Sequence, residues 1–131
     1  MLRLSFCLLA AAMVSTPVAA NAQQPLLVGT SWGVAGETEK GGRFISFAGE
    51  GRLSGFAGCN RLRGRYEAQD GRLAITNIGT TRMACGGDAM AKEAAFLELL
   101  GRVRGARMDL TLLQLLDETG VALSTLEKRM P

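Results

Sequence analysis

Cys59 and Cys85 constrain this chain more than any other pair of residues. They are the only cysteines left once the N-terminus is read as an export signal. Met1-Leu2-Arg3 supplies the early positive charge, Leu4 to Val14 is apolar or small, and Ser15-Thr16-Pro17 breaks that run. Ala20-Asn21-Ala22 then offers the small-x-small site that signal peptidase reads. The apolar run is too short to span a bilayer comfortably. Cys7 lies inside it behind Ser5-Phe6, without the small-residue context of lipid attachment. Residues 1–22 are therefore expected to be a cleaved secretory signal and residues 23–131 a single exported domain, in the periplasm or outside the cell. In an oxidising compartment an even cysteine pair is most simply a disulfide. A bridge closing a loop of about 26 residues would restrict the unfolded chain by roughly 3.5 kcal/mol. That is a large share of a small domain's stability. The competing reading is a reactive thiol, which has no His partner here, although Arg61 or Arg82 can lower a thiol pKa.

Composition removes whole classes of activity. The 131 residues include no His, so a Ser-His-Asp triad, a Cys-His dyad and a His-based zinc site are all excluded. Neither a metal nor a cofactor is expected, and no nucleophile has a visible base. Loss of residues 1–22 removes Arg3 and no acid, so Lys+Arg falls from 15 to 14 against 12 Asp+Glu, and the net charge from +3 to +2. That is no nucleic-acid-binding surplus. No second apolar run is long enough to cross a membrane.

Glycine, at 17 residues, punctuates short alternating segments. Val28 to Val34 around Trp32, Arg43 to Phe47, and Arg52 to Phe56 read as strands, the last two joined by the turn Ala48-Gly49-Glu50-Gly51. Arg65 to Ala68 and Arg72 to Asn77 form a second hairpin across Gln69-Asp70-Gly71. Arg107 to Leu110, Leu113 to Leu116 and Val121 to Glu127 complete the set. One helix is predicted, with Asp88 as its N-cap and Gly101 just past its end. Its apolar stripe is Met90, Ala94, Leu97 and Leu100, joined by Phe96, with Lys92, Glu93 and Glu98 directed away. The expected fold is α+β: a small antiparallel barrel-like sheet of about seven or eight short strands with one helix packed on it.

Two stretches are distinctive. The first is Gly55-Phe56-Ala57-Gly58-Cys59-Asn60-Arg61, followed by Gly64 and Tyr66; the second is Thr80-Thr81-Arg82-Met83-Ala84-Cys85, followed by Glu93. Glycines before Cys-Asn suggest close backbone approach or positive φ, and Asn60 suits a turn. Together these stretches resemble the META domain family, with its HslJ-like heat-shock members. The family's early Trp corresponds to Trp32, its Phe strand to Phe47, and its Gly-x-x-Gly-Cys-Asn to Gly55, Gly58, Cys59 and Asn60. Its Gly-x-Tyr step corresponds to Gly64 and Tyr66, its Thr-x-Met-x-Cys to Thr81, Met83 and Cys85, and its early helical Glu to Glu93. The match covers about residues 28–127. The resemblance implies a small barrel-like sheet with a helix, an exported protein linked to stress and envelope integrity, and structural roles for the carried-over residues. Some members are lipoproteins, whereas this signal ends without a lipid-bearing Cys.

Arg61, Arg63 and Arg65 alternate, so in an extended chain all three point to one face. One reading is an anion site for lipopolysaccharide, anionic lipid or an acidic partner; the other is a solvated strand face. Asp117 and Glu118 fall in a predicted turn, where acids are ordinary residues. The function expected is a non-enzymatic domain of the bacterial cell envelope that supports stress tolerance by binding a protein or an anionic envelope component. The alternatives are an inhibitor of a foreign hydrolase such as lysozyme, which the mild basicity disfavours, and a small carrier of an apolar ligand.

Overall fold

The computed structural model describes residues 11–15 and 26–130. Most of the expected export signal, including Cys7 and the Ala20-Asn21-Ala22 site, lies outside the described residues. Alternating side chains produce eight strands: β1 (Thr30–Val34), β2 (Phe44–Phe47), β3 (Arg52–Phe56), β4 (Arg61–Gln69), β5 (Arg72–Thr80), β6 (Gly105–Met108), β7 (Leu112–Leu116) and β8 (Ala122–Arg129). One helix, α1 (Ala89–Arg102), lies between β5 and β6. Each strand pairs antiparallel with the next, and β8 returns to β1, so the sheet closes into a barrel. Closure removes the exposed edges that a short sheet otherwise carries.

The ring is thinnest between β5 and β6, which share the single registered pair Arg72↔Gly105. Helix α1 connects these two strands, and Phe96, Leu100 and the following Val103 join the same core as Trp32, Ile45, Phe47, Leu62, Leu73, Leu113 and Leu126. The helix thus supplies apolar surface where sheet pairing runs out. Trp32 is 0% exposed, and its indole N–H donates to Thr30 Oγ1 at 2.7 Å, so the largest core side chain leaves no polar atom unpaired.

Several element boundaries differ from the sequence reading. The β4–β5 turn is as expected: Asp70 and Gly71 both have positive φ, 51° and 78°, the geometry that selects Asp-Gly in tight hairpins. Strand β4, however, begins at Arg61 rather than Arg65, because pairing with β3 (Phe56↔Arg61, Ser54↔Arg63) holds those residues extended. Strand β6 ends at Met108 rather than Leu110, since Asp109 Oδ1 accepts the Thr111 and Leu112 amides and closes a turn. Asp88 makes no side-chain cap bond and is itself near-helical. Gly101 lies inside α1, which ends when buried Val103 turns extended and draws the chain back to the core.

Candidate functional site

The corner between β3 and β4 is built from the two cysteine stretches. Cys59 and Cys85 form a disulfide with Cα atoms 5.9 Å apart, so the thiol reading does not apply. Gly58 has φ 126°, and a Cβ there would lie 3.4 Å from both Ala89 O and Glu93 N. Glycine therefore serves two ends, a positive φ and close passage of α1. Asn60 follows and is buried. Its Oδ1 accepts from Met83 N at 2.6 Å and Thr81 Oγ1 at 2.9 Å, while its Nδ2 donates to Met83 O at 3.1 Å and Glu93 Oε2 at 2.8 Å. Its backbone N–H donates to Glu93 Oε1 at 2.6 Å. One amide side chain thereby joins three segments: the β3–β4 corner, the loop after β5, and α1.

Glu93 corrects the sequence reading. The stripe expected on α1 placed it facing away, but it is only 5% exposed, whereas Ala94 is exposed and Met90 is 41% exposed. Positions 93, 96 and 100 share a helical face, and Glu93 takes part in that face because Asn60 waits there as donor. Burial pushes its carboxyl pKa up, yet hydrogen bonds from the Asn60 side chain, the Asn60 amide and the Cys59 amide outweigh burial and hold it below its ordinary value. Among the described residues no buried side-chain N or O lacks a partner. The corner is a closed network, and its polar groups are spent on one another.

The remaining motif residues occupy separate places. Trp32 and Tyr66 are in the core; the Tyr66 hydroxyl donates to Ala48 O at 2.8 Å and its ring meets Phe47 edge-on with centroids 4.9 Å apart. Gly55 is required by close strand approach, since a Cβ would sit 2.1 Å from Phe44 O. Gly64 lies where the β4–β5 register shifts: Arg63↔Gly79 is followed by Arg65↔Thr76, so β5 carries one extra residue beside Asn77 at φ 54°. Thr81 relays Arg61 N to Asn60 Oδ1. Met83 contributes only its backbone; the residue is 62% exposed. Asp117 Oδ1 accepts from Thr119 N, Thr119 Oγ1 and Val121 N, so this acid organises a turn.

Arg61, Arg63 and Arg65 are all exposed on the outer face of β4, with Leu62 and Tyr66 inward. They are not equivalent. Arg65 faces Arg52 across the β3–β4 ladder, and both are drawn toward the β2–β3 turn: Arg65 Nη2 donates to Glu50 O at 2.9 Å and Arg52 Nε to Gly49 O at 3.2 Å. The Arg61 and Arg63 guanidinium groups make no hydrogen bond or ion pair among the described residues.

Sequence reasoning missed two further arginines. Arg43 pairs with Glu37 at 2.6 Å, donates to Lys92 O at 3.3 Å and stacks over Phe96, tying the β1–β2 loop to α1. Arg129 lies flat across Gly33, where a Cβ would meet its Nε at 2.3 Å. From there it stacks on Phe44, with Cζ 4.9 Å from the ring centroid, and donates to Thr38 O and Glu39 O. These contacts span 90 and 91 residues of sequence, and no local pattern signals them. Among the described residues no group of three or more His, Cys, Asp or Glu could hold a metal ion, and no helix is long and apolar enough to cross a membrane.

The META domain pattern matches residues 27–130, which takes in the whole barrel and both cysteine stretches. The chain belongs to the META domain family. Among solved structures, an NMR structure of a protein from Burkholderia xenovorans is similar at 27% identity, covering 95% of this chain and 97% of that one with a TM-score of 0.61. A crystal structure of a DUF4847 family protein from Bacteroides vulgatus shares the fold at 15% identity, covering 79% and 93%, with a TM-score of 0.55. No curated protein matches the chain. Within this META domain the motif residues are absorbed by the corner and the core, whereas Arg61 and Arg63 stand on a surface that the fold leaves unpaired.

Proposed function

We propose that this META domain is an exported, non-enzymatic module of the cell envelope that supports stress tolerance by binding an anionic envelope component on the outer face of β3 and β4. The observation that carries this reading is the pair Arg61 and Arg63, exposed side by side and without protein partners among the described residues. A guanidinium presents fixed donors suited to phosphate or carboxylate. Placed alternately on one strand, the two Cα atoms are about 6.5–7 Å apart, a spacing at which both can grip one ligand or neighbouring headgroups. The Cys59–Cys85 disulfide supports work in an oxidising compartment. The test is sedimentation with vesicles containing phosphatidylglycerol against vesicles of phosphatidylcholine alone. The chain should bind the anionic vesicles, and binding should weaken steeply as salt rises, because exposed charges are screened over about 8 Å at physiological ionic strength. Equal binding to both vesicle types, or none to the anionic ones at low salt, would overturn the reading.

A further inference from the structure

The arginine pair does not stand on a flat sheet. An open groove of about 510 Å³ runs beside it on the outer face of β2, β3 and β4, within the roughly 300–1,000 Å³ typical of small-molecule sites. Strand register sets its chemistry in two rows. Phe44, Phe56 and Arg61 lie in successive register, as do Ser46, Ser54 and Arg63. Phe56, half-buried, gives the groove apolar ground next to two guanidinium groups, while the neighbouring Phe44 ring carries the Arg129 guanidinium. Its far wall is the β1–β2 loop, with Glu39, Gly41 and Gly42 on the groove. Arg129 fixes that wall by donating to Thr38 O and Glu39 O while lying across Gly33 and Phe44.

We propose that this groove holds a sugar ring bearing an acidic group, phosphate or carboxylate. The inference rests on the anion-binding reading above and names the ligand of the same face. A simple phosphate would use only the arginines and leave Phe56 and Glu39 without a role. A hydrocarbon would leave Arg61, Arg63, Glu39 and Ser54 facing apolar surface, which costs their hydration. A pyranose acid matches every wall. Its C–H face packs on the phenyl ground, its acid meets Arg61 and Arg63 through charge-assisted bonds, and its hydroxyls donate to the Glu39 carboxylate and bond with Ser54. The charge order, cationic on β4 and anionic on the loop, orients the ring with its acid toward β4.

The test is an amide NMR titration of the protein with glucose 1-phosphate and glucuronate, against glucose and inorganic phosphate at matched ionic strength. Both sugar acids should shift the amides of Ser54, Gly55, Phe56 and Arg61 saturably. Glucose and phosphate alone should each bind about tenfold or more weakly, the scale of losing one charge-assisted hydrogen bond. Arg61→Gln should weaken sugar-acid binding by a similar factor. Glu39→Gln, at an exposed position, should weaken the binding of glucose 1-phosphate relative to that of inorganic phosphate. If inorganic phosphate shifts the same amides as strongly as glucose 1-phosphate, the ring contributes nothing and the groove proposal falls, while the anionic face stands. The same holds if vesicles bind and neither sugar acid does, or if an acidic peptide such as tetraglutamate binds the groove more tightly. No binding of any anion at low salt overturns both readings.

Discussion

Replacing Asn60 by Asp changes one NH2 group for one oxygen and reverses the electrostatics of the β3–β4 corner. The Nδ2 donor lies 2.8 Å from Glu93 Oε2, so the substitution sets two carboxylates in hydrogen-bond contact at a buried position. Like charges this close cannot both ionise, and one carboxyl must keep its proton. Carboxyls in the unfolded chain titrate near pH 4, so holding one proton at pH 7 costs about three units at 1.36 kcal/mol each, roughly 4 kcal/mol. The native state then binds one more proton than the unfolded state, and stability falls as pH rises, by about 1.4 kcal/mol per unit between the unfolded value and the raised native one. Urea unfolding followed by the fluorescence of Trp32, the only tryptophan, reads this directly between pH 5 and 8. Asn60→Ala is the control: it loses all four side-chain bonds of Asn60, adds no charge and should show no such slope. Adding Glu93→Gln to Asn60→Asp leaves a single carboxylate facing an amide, and should remove the slope as well. An Asn60→Asp variant whose stability is flat across this range, or equal to the parent at pH 7, would refute the claim that Asn60 and Glu93 share a hydrogen bond in the core.

Other outcomes follow from the same geometry. In the parent protein Glu93 has a folded pKa below its ordinary value of 4.5. Its contribution should be complete above that value and lost as pH falls through the folded pKa, measurable as an acid unfolding transition that Glu93→Gln shifts. Replacing Cys59 by Ser should cost about 2–5 kcal/mol in urea unfolding, the usual loss for a small exported domain deprived of its bridge. Joint replacement of Arg61 and Arg63 by Gln should abolish binding to anionic vesicles with little change in Tm, since neither guanidinium is bonded within the fold. The intact mass of the exported product should begin at Gln23; a mass retaining residues 1–22, or carrying a lipid, would defeat the cleaved-signal reading.

Much of the barrel is legible because strand alternation and turn chemistry act over a few residues. Asp70-Gly71 could be read as a tight turn from two residues, and the pair Leu73 and Ile75 as an inward face, because both are local requirements. The start of β4 could not. Leu62-Arg63-Gly64 carries a glycine between charges and has weak intrinsic strand preference. It is extended because β3 pairs with it on one side and β5 absorbs the mismatch with an extra residue on the other. The ends of α1 escaped for a similar reason: Gly101 is a plausible stop, but buried Val103 sets the exit. Glu93 lies three and seven residues from Phe96 and Leu100, a spacing that puts it on the buried face. Its charge argues for solvent, and burial of an acid becomes acceptable only where donors meet it, as Asn60 does here.

The candidate site divides along the same line. The corner that carries the family pattern is written in short contiguous stretches, since a disulfide, an Asn turn and a glycine at positive φ each need particular residue types at fixed offsets. Those are the requirements of folding, and the structure shows them met by one another, with Asn60 bonded to Thr81, Met83 and Glu93. A binding surface obeys a different rule, because its residues must be left over after the fold is satisfied. Arg61 and Arg63 meet that rule, whereas Arg65, alike in sequence, is engaged at the Glu50 carbonyl. The groove beside them depends on Arg129 reaching Thr38 from 91 residues away, over a glycine whose only sequence mark is the absence of a side chain. Gly33→Ala separates the two rules experimentally. The added methyl occupies the place of the Arg129 guanidinium, so the wall should loosen and sugar-acid binding weaken, while the Asn60 network and the disulfide at the β3–β4 corner, which make no contact with Arg129, stay in place. If Gly33→Ala instead unfolds the domain, the Arg129 contact belongs to folding and the groove wall is not an independent element of the site.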